Sequence, residues 1–577
     1  MNSSRNNNKT KKIISTTYII IIILITCQYF NLQIINYEKY HLKAGYNSLK
    51  KIILKAPRGI IYDRNKKPIV DNQYIYNVNF MSRYYDSTSF NYNLLKREIG
   101  VNSKTIDSIV SANKHSSNQY KSKLIKKNIN FEKKSILEEN KLDIQGINFS
   151  HNPIRSYTSS SNLSHVLGYL RIIDDSKGQG SEGFSGIEKF YEIDLKGSNG
   201  IEYRIVDKFG IDQGLFIDDN IYDAKQGSDL FLTIDSNLQT YSEEIMGDKT
   251  GSIVVMDPLN GEVLTMISTP SYDLNSFAGG ITSRKWNKIS NNKKGPLTNR
   301  AIQSSYPPGS IFKLILAAIV LEEEIISKDW KVNCTGEYQF YDQLFRCWKE
   351  EGHGTINLNK AIQQSCNVYF YNLIQQIDFD LWSKEATKFG FGKKSGIDLP
   401  NEKKGLVPDR KFMTKHHKNK GGWSAGHLLN LSIGQGETMV TPIQIVNLMN
   451  IIANEGNYLT PHLNLKSAST KNIDLKYKNS VWRLVREAMF DAVNKTGGTA
   501  YNAYVDNNDV KVYGKTGTAQ ICSNCDLLPH AWFAGFIELN NSKKYSIAII
   551  VENGGKGSNI PAILAKKIFK FIIEKNV

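Results

Sequence analysis

One stretch limits what this chain can be more than any other. From Ile13 to Ile35 it reads IISTTYIIIIILITCQYFNLQII, with no charged residue, and about 20 such residues suffice to cross a bilayer as a helix. It is the only such stretch, and a mean hydropathy of −0.37 excludes a polytopic membrane protein. Arg5, Lys9, Lys11 and Lys12 precede it with no acid among them. The positive-inside bias therefore puts the N-terminus in the cytoplasm and everything after Asn36 outside. A cleaved signal peptide would have a shorter apolar core followed by a small-x-small site, and neither feature is present. The LITC ending at Cys27 has Thr26 where a lipoprotein box needs a small residue. The expectation is a single uncleaved anchor in the cytoplasmic (inner) membrane.

The remaining sequence has the makings of ordinary folded domains. It contains 40% hydrophobic and 22% charged residues within 577, which excludes global disorder and disulfide miniproteins. A net charge of +18 could serve nucleic acid or an anionic polymer. Asn, Lys, Ile and Tyr recur along the whole chain, however, so the excess reads as compositional drift and no nucleic-acid partner is expected. The expected organisation is a tail over 1–12, the anchor over 13–35, a mixed α/β region over 36–225 and a second domain over 226–577. Within the first region the polar stretch from Ser87 to Asn148 reads as a spacer.

Texture changes near Gly227. GSDLFLTID reads as a strand and NLQTYSEEI as a helix. GSIVVMDPLNGEVLTMIS reads as two strands joined at Pro-Leu-Asn-Gly. Near the C-terminus KVYGKTGTAQ, HAWFAGFIEL and YSIAIIVEN read as three more strands, followed by the helix AILAKKIFKFIIEK. Five strands split around a helical middle suggest one antiparallel sheet with helices on both faces.

Three short motifs lie in that domain. Pro307-Pro308-Gly309 leads into Ser310 and an apolar helical run, placing Ser310 at a helix N-terminus with Lys313 on the same face. Exposed N–H groups there favour an oxyanion held against the serine. Ser-x-x-Lys alone is weak evidence, since Ser48 with Lys51 and Ser290 with Lys293 also fit the spacing. Ser365 and Asn367 interrupt two helical patterns, as a tight turn would. Lys515, Thr516, Gly517 and Thr518 lie on one of the late strands, where a mid-strand glycine suggests close approach of another backbone, such as a peptide substrate.

Ser-x-x-Lys, then Ser-x-Asn, then Lys-Thr-Gly is the order found in penicillin-binding proteins and serine β-lactamases, and the chain resembles that family. The anchor and the Arg58-Gly59 to Asp63-Arg64-Asn65 segment resemble the stalk and non-catalytic pedestal (dimerisation-type domain) of the class B members. CWKEEGHG (Cys347 to Gly354), GIDLP (Gly396 to Pro400) and SIGQGE (Ser432 to Glu437) look most like the elongation-specific branch, penicillin-binding protein 2. Lys66 stands where the pedestal motif usually has glycine.

The resemblance implies a mixed α/β chain with an elongated α+β pedestal and a transpeptidase domain built on a five-stranded antiparallel sheet. It implies D,D-transpeptidation of peptidoglycan stem peptides during elongation and rod-shape maintenance, and acylation by β-lactams. Ser310 would be the nucleophile and Lys313 its base. Ser365 would relay a proton, and Asn367 would hold the donor stem and Lys313. Lys515, Thr516 and Thr518 would bind the terminal carboxylate beside Gly517, and the N–H groups of Ser310 and Thr518 would form the oxyanion hole. Glycan polymerisation would come from a polytopic rod-shape glycosyltransferase within the elongation machinery. The alternatives are a division-specific transpeptidase, a D,D-carboxypeptidase or β-lactamase, and a non-catalytic β-lactam sensor or scaffold. A sensor would need an output domain that the twelve residues before the anchor do not supply.

Cys334, Cys347, His353 and Cys366 form a Cys3His set of the kind that closes a structural zinc site. A Cys334–Cys347 disulfide and free thiols are the competing readings. Some relatives of this branch carry a zinc with one ligand inside the Ser-x-Asn motif, where Cys366 stands. No cofactor is needed for the acyl transfer. Cys522 and Cys525 are expected to pair locally, and His165, His416 and His417 offer no evident partners.

Overall fold

The computed structural model describes residues 3–37, 49–114, 116–173, 180–207, 212–216, 222–419, 421–467, 472–520, 526–540 and 542–575. Cys522 and Cys525 lie outside these residues, so their expected pairing does too.

The chain divides into two units, and the division is not contiguous in sequence. One comprises 1–57, 74–153 and 197–226, the other 58–73, 154–196 and 227–577. One edge lies next to the expected boundary at 225/226, but the segments 58–73 and 154–196 belong with the C-terminal unit.

In the first unit the apolar run lies in a helix over Ser3–Phe30, continued by a π-helical turn over Asn31–Ile35. The stretch Lys11–Ile35 is long and apolar enough to cross a membrane, and none of it is buried within the protein. Leu49–Leu54, Gly200–Val206 and Asp212–Phe216 form a three-stranded antiparallel sheet. The stretch expected to be a spacer folds instead. Helices Tyr92–Ile99, Ser103–Asn113 and Phe131–Glu139 bury Leu94, Leu95, Ile99, Ile106, Ile109 and Leu137 around Val78 and Phe80. The first of these helices is bounded locally: Asn91 accepts the Leu94 N–H, and Gly100 ends it at φ 68°, the conformation glycine adopts without a Cβ penalty. Overall polarity hid these apolar positions because they are sparse and spaced for single helix faces.

The second unit is built on five antiparallel strands: β1 (Gly251–Met256), β2 (Val263–Thr269), β3 (Val510–Ala519), β4 (His530–Leu539) and β5 (Lys544–Val551), in the order β2-β1-β5-β4-β3. Strand β1 shows why its run is continuously apolar. Ile253 and Val255 enter one core while Val254 and Met256 enter the other, as period-two side chains must when both faces of a sheet are covered. One core takes Leu238 from helix Ser236–Met246 and Ile568, Phe569 and Ile572 from helix Ile560–Lys575. The other takes helices Lys313–Glu322 and Pro442–Ala453, the latter buried at every position. GSDLFLTID contributes only the short strand Leu230–Phe231, which pairs in parallel with Ile61–Tyr62 rather than joining this sheet. Those residues follow Arg58, whose guanidinium bonds Glu188 and Glu192, while Arg155 bonds the other oxygen of Glu188. Asp63 accepts the N–H groups of Asn65 and Lys67, and Lys66 between them sits at φ 61°. The departure from glycine thus falls in a left-handed turn.

Candidate active site

The three motifs converge. Gly309 takes φ 58° and donates its N–H to Gly434 O at 2.9 Å. A Cβ there would lie 2.7 Å from Thr518 O and 3.0 Å from Thr518 N. Only glycine lets the Pro307-Pro308 approach turn this close to β3. Residues Gly309–Phe312 form a 3-10 turn that runs into helix Lys313–Glu322, so Ser310 and Lys313 share a face at a helix start, as their spacing indicates.

Lys313 is fully buried. Its Nζ donates to Ser365 O at 2.9 Å, Asn367 Oδ1 at 2.8 Å and Ser365 Oγ at 3.4 Å. Ser365 sits at φ 56°, the tight turn expected between the helices Leu358–Gln363 and Asn367–Ile374. From β3, Lys515 Nζ donates to the same Ser365 Oγ at 2.9 Å and to Thr516 O at 3.1 Å. Two lysine Nζ atoms therefore meet at one hydroxyl inside the protein. Burial pushes Lys313 down from 10.5 to about 8, against the charges of Cys366 and Cys347. Lys515 is held well below its usual range, by burial first and then by Lys313. A lysine short of its solvation shell gives up its proton more readily, which raises the share of the neutral amine that general-base chemistry needs.

Strand β3 is an edge strand, and the Thr518 peptide lies against Gly309. Gln435 Nε2 donates to Thr518 O at 3.0 Å, and Gly557 N donates to Thr518 Oγ1 at 3.4 Å. Trp532 Nε1 on β4 donates to Pro307 O at 3.1 Å. A Cβ on Gly517 would meet Pro308 O at 2.8 Å and Trp532 Cβ at 3.1 Å. The close approach expected here of a peptide substrate is made instead by the chain's own Pro307-Pro308-Gly309 turn. Gln435 and Trp532 escaped the sequence reading: Gln435 lies in SIGQGE, a stretch noted only for its likeness, and Trp532 carried no signal.

The Cys3His set also comes together. One ligand atom each from Cys334, Cys347, His353 and Cys366 lies within 4.8 Å of all the others. His353 Nδ1 is 3.5 Å from Cys334 Sγ and 3.6 Å from Cys347 Sγ. The three cysteines are free thiols, so the Cys334–Cys347 disulfide is not formed. The Cys347 thiol is held far down by a hydrogen bond from Cys366, whose own thiol is pushed up in return. Cys366 Sγ accepts the Tyr369 N–H and caps the helix that begins at Asn367, while Asn367 N donates to Cys347 Sγ. The cluster thus lies directly behind the Ser-x-Asn turn.

His165 is core-satisfied: it is buried, bonds Pro296 O at 2.7 Å, and is pushed by burial down to about 4. His417 is bonded to Glu437, a partner the sequence did not suggest.

Comparison with known proteins agrees with this geometry. The family described as "Penicillin binding protein transpeptidase domain" matches residues 251–573, and "Penicillin-binding Protein dimerisation domain" matches 53–232. The chain is 29% identical to the peptidoglycan D,D-transpeptidase MrdA of Haemophilus influenzae, over 95% of this chain and 89% of that protein. With MrdA of Salmonella typhimurium identity is 30%, over 94% and 92%. The fold is similar to the penicillin-binding protein PBP2 of Helicobacter pylori, solved in complex with MreC. That match has a TM-score of 0.77 and 30% identity, covering 91% of this chain and 99% of that one.

Proposed function

Because the chain belongs to the penicillin-binding protein transpeptidase family, as a class B member with a dimerisation-type domain, we propose a role for each residue of the converged site. The protein is a serine-type, elongation-specific peptidoglycan D,D-transpeptidase. The observation that carries the assignment is the meeting of buried Lys313, Ser365 and Lys515 with Asn367, at the start of the helix that Ser310 leads into.

Ser310 Oγ attacks the carbonyl between the two terminal D-alanines of a donor stem. Its proton passes to neutral Lys313, which burial prepares for the task. The carbonyl oxygen becomes an oxyanion facing the N–H groups of Ser310 and Thr518, a pairing supported by the closeness of Gly309 to Thr518 N. Ser365 Oγ, within reach of both lysines, returns a proton to the departing D-alanine amine. Asn367 Oδ1 holds Lys313, and Asn367 Nδ2 reaches Arg346 O at 3.3 Å. The stem carboxylate rests on the Thr516 and Thr518 hydroxyls, while buried Lys515 donates to Ser365 Oγ from behind and holds that hydroxyl in place. A second stem's amine then attacks the acyl-enzyme by the reverse proton path and forms the cross-link.

The Cys3His cluster fits a zinc ion. With Zn–S near 2.3 Å and Zn–N near 2.0–2.1 Å, a tetrahedral site has S–N edges of about 3.6 Å, matching the two His353 contacts. The His353 Nε2, buried without a hydrogen bond, needs a metal on Nδ1 or a proton to settle its tautomer. When bound, zinc would supply a structural cross-link. Cys334, Cys347, His353 and Cys366 would hold it, and through Cys347 and Cys366 it would steady the Ser365–Asn367 turn.

The N-terminal helix is the anchor. Its basic flank supports a cytoplasmic N-terminus with the catalytic unit outside the cytoplasmic membrane. The Helicobacter pylori relative's complex with MreC, and a similar chain (26% identity, TM-score 0.74) from a structure titled as a peptidoglycan synthase complex, support partners in the elongation machinery, including a polymerising glycosyltransferase.

The test is intact-mass spectrometry of the detergent-solubilised chain with a fluorescent penicillin. A covalent adduct on wild type, lost in Ser310→Ala, is expected, and an adduct that persists for hours separates a transpeptidase from a β-lactamase. A folded wild-type protein that takes no adduct would sink the assignment.

A further inference from the structure

Away from the acyl-transfer site a second set of ligand-type side chains gathers. His416 and His417 end the helix Arg410–His417, and Glu437 closes SIGQGE. One ligand atom from each lies within 4.8 Å of the other two. Among the described residues, only this group and the Cys3His cluster bring three or more metal-ligating side chains together in this way.

The three differ in how they are held. His417 is buried, and its Nε2 sits 2.7 Å from Glu437 Oε1. That contact points the imidazole nitrogen and the carboxylate at one another, so an ion seated between them would take the place of the proton they share. His416 is exposed and stacks on Phe412, with ring centroids 5.3 Å apart. His427, whose ring is 4.5 Å from that of His417, has its Nδ1 occupied by the Ser424 N–H. It therefore walls the site without completing it. Both histidines lie in the last turn of a helix, where the dipole favours a cation. The flanking Lys415 and Lys418 oppose one, but both are exposed and screened by salt.

Two imidazoles and one carboxylate suit zinc, copper or nickel, and do not suit magnesium or calcium, which take oxygen ligands. Three protein ligands leave a fourth position to water, the arrangement of an open site. Tetrahedral N–O edges are about 3.3 Å, so on binding the 2.7 Å His417–Glu437 pair gives up its shared proton and opens by about half an ångström, while exposed His416 closes the set. We propose that His416, His417 and Glu437 form an exchangeable binding site for a divalent transition-metal ion of the zinc class. It is chemically distinct from the Cys3His cluster and does not depend on that cluster's occupancy.

Position gives the site a consequence. Glu437 lies two residues beyond Gln435 and three beyond Gly434, which bond Thr518 O and Gly309 N respectively. An ion on Glu437 would brace the loop that supports the nucleophile turn.

The experiment is a titration of the full, untagged chain in detergent with Co2+ alone, read by visible absorption. Cobalt bound by thiolates gives an intense near-ultraviolet charge-transfer band; cobalt bound by imidazole and carboxylate gives only weak visible bands. The expected result is a set of weak visible bands separate from the thiolate charge-transfer band of the Cys3His cluster, weakened at least tenfold in affinity by His416→Ala and by His417→Gln, and retained when Cys347→Ser removes the charge-transfer band. Thiolate-type bands alone, or visible bands indifferent to His416→Ala, would overturn the proposal. His416 is exposed, so its variant decides the question even if His417→Gln does not fold.

Discussion

The depressed lysine at the centre of the site predicts a specific pH profile. Lys313 has no solvent exposure and burial holds it near 8 instead of 10.5. That difference corresponds to about 3 kcal/mol of lost solvation of the ammonium. If neutral Lys313 takes the Ser310 proton, acylation follows the neutral fraction. That fraction is about one tenth at pH 7 and about one hundredth at pH 6, so the second-order rate constant rises about tenfold per pH unit and levels off above about pH 8. Stability runs with the same sign. The native state is penalised when the unfolded lysine is protonated, so the penalty is absent above pH 10.5, grows as pH falls to about 8, and is constant below it. The assay is stopped-flow acylation by a fluorescent penicillin from pH 6 to 9, with thermal unfolding at each pH to exclude a folding artefact. A flat profile across this range, or a plateau already reached below pH 7, would refute the assignment of Lys313 as the base.

Other outcomes follow from single contacts. Gln435→Ala removes the hydrogen bond to Thr518 O, and a loss of about 1–2 kcal/mol of positioning should slow acylation about 5- to 30-fold with little change in Tm. Gly517→Ala would drive a methyl into Pro308 O; overpacking of about 1–3 kcal/mol should lower both Tm and acylation, and unchanged values would contradict the close packing of β3 on the nucleophile turn. Cys366→Ser keeps a side chain that can cap the helix at Asn367 but removes a thiolate ligand, so it is expected to abolish retention of one zinc per chain in native mass spectrometry and, by releasing that tie on the Ser365–Asn367 turn, to slow acylation. Glu188→Gln leaves Arg58 and Arg155 sharing a neutral amide; breaking a buried pair costs about 3–5 kcal/mol, to be read as a fall in the urea midpoint without loss of Ser310 acylation per folded molecule.

Local signals were readable wherever one element carries them. The long apolar helix needed only a charge-free run. The five catalytic-domain strands announced themselves by apolar stretches between turn residues, and the Ser310–Lys313 face followed from helical spacing. The fold of 87–148 was missed because its apolar residues are few and only matter once three short helices meet. His417 looked solitary because Glu437 is 20 residues away on another element.

The sequence by itself therefore determined one N-terminal apolar helix long enough to cross a membrane, the strand and helix inventory of the C-terminal domain, and the residue types available for acyl transfer. Only the tertiary structure decided the chemistry of those types. Ser365 reaches Lys313 across 52 residues of chain and Lys515 across 150, and no local propensity encodes such a meeting. The meeting is what strips both lysines of water, and an amine's basicity is set by the solvent it has lost, not by its neighbours in sequence.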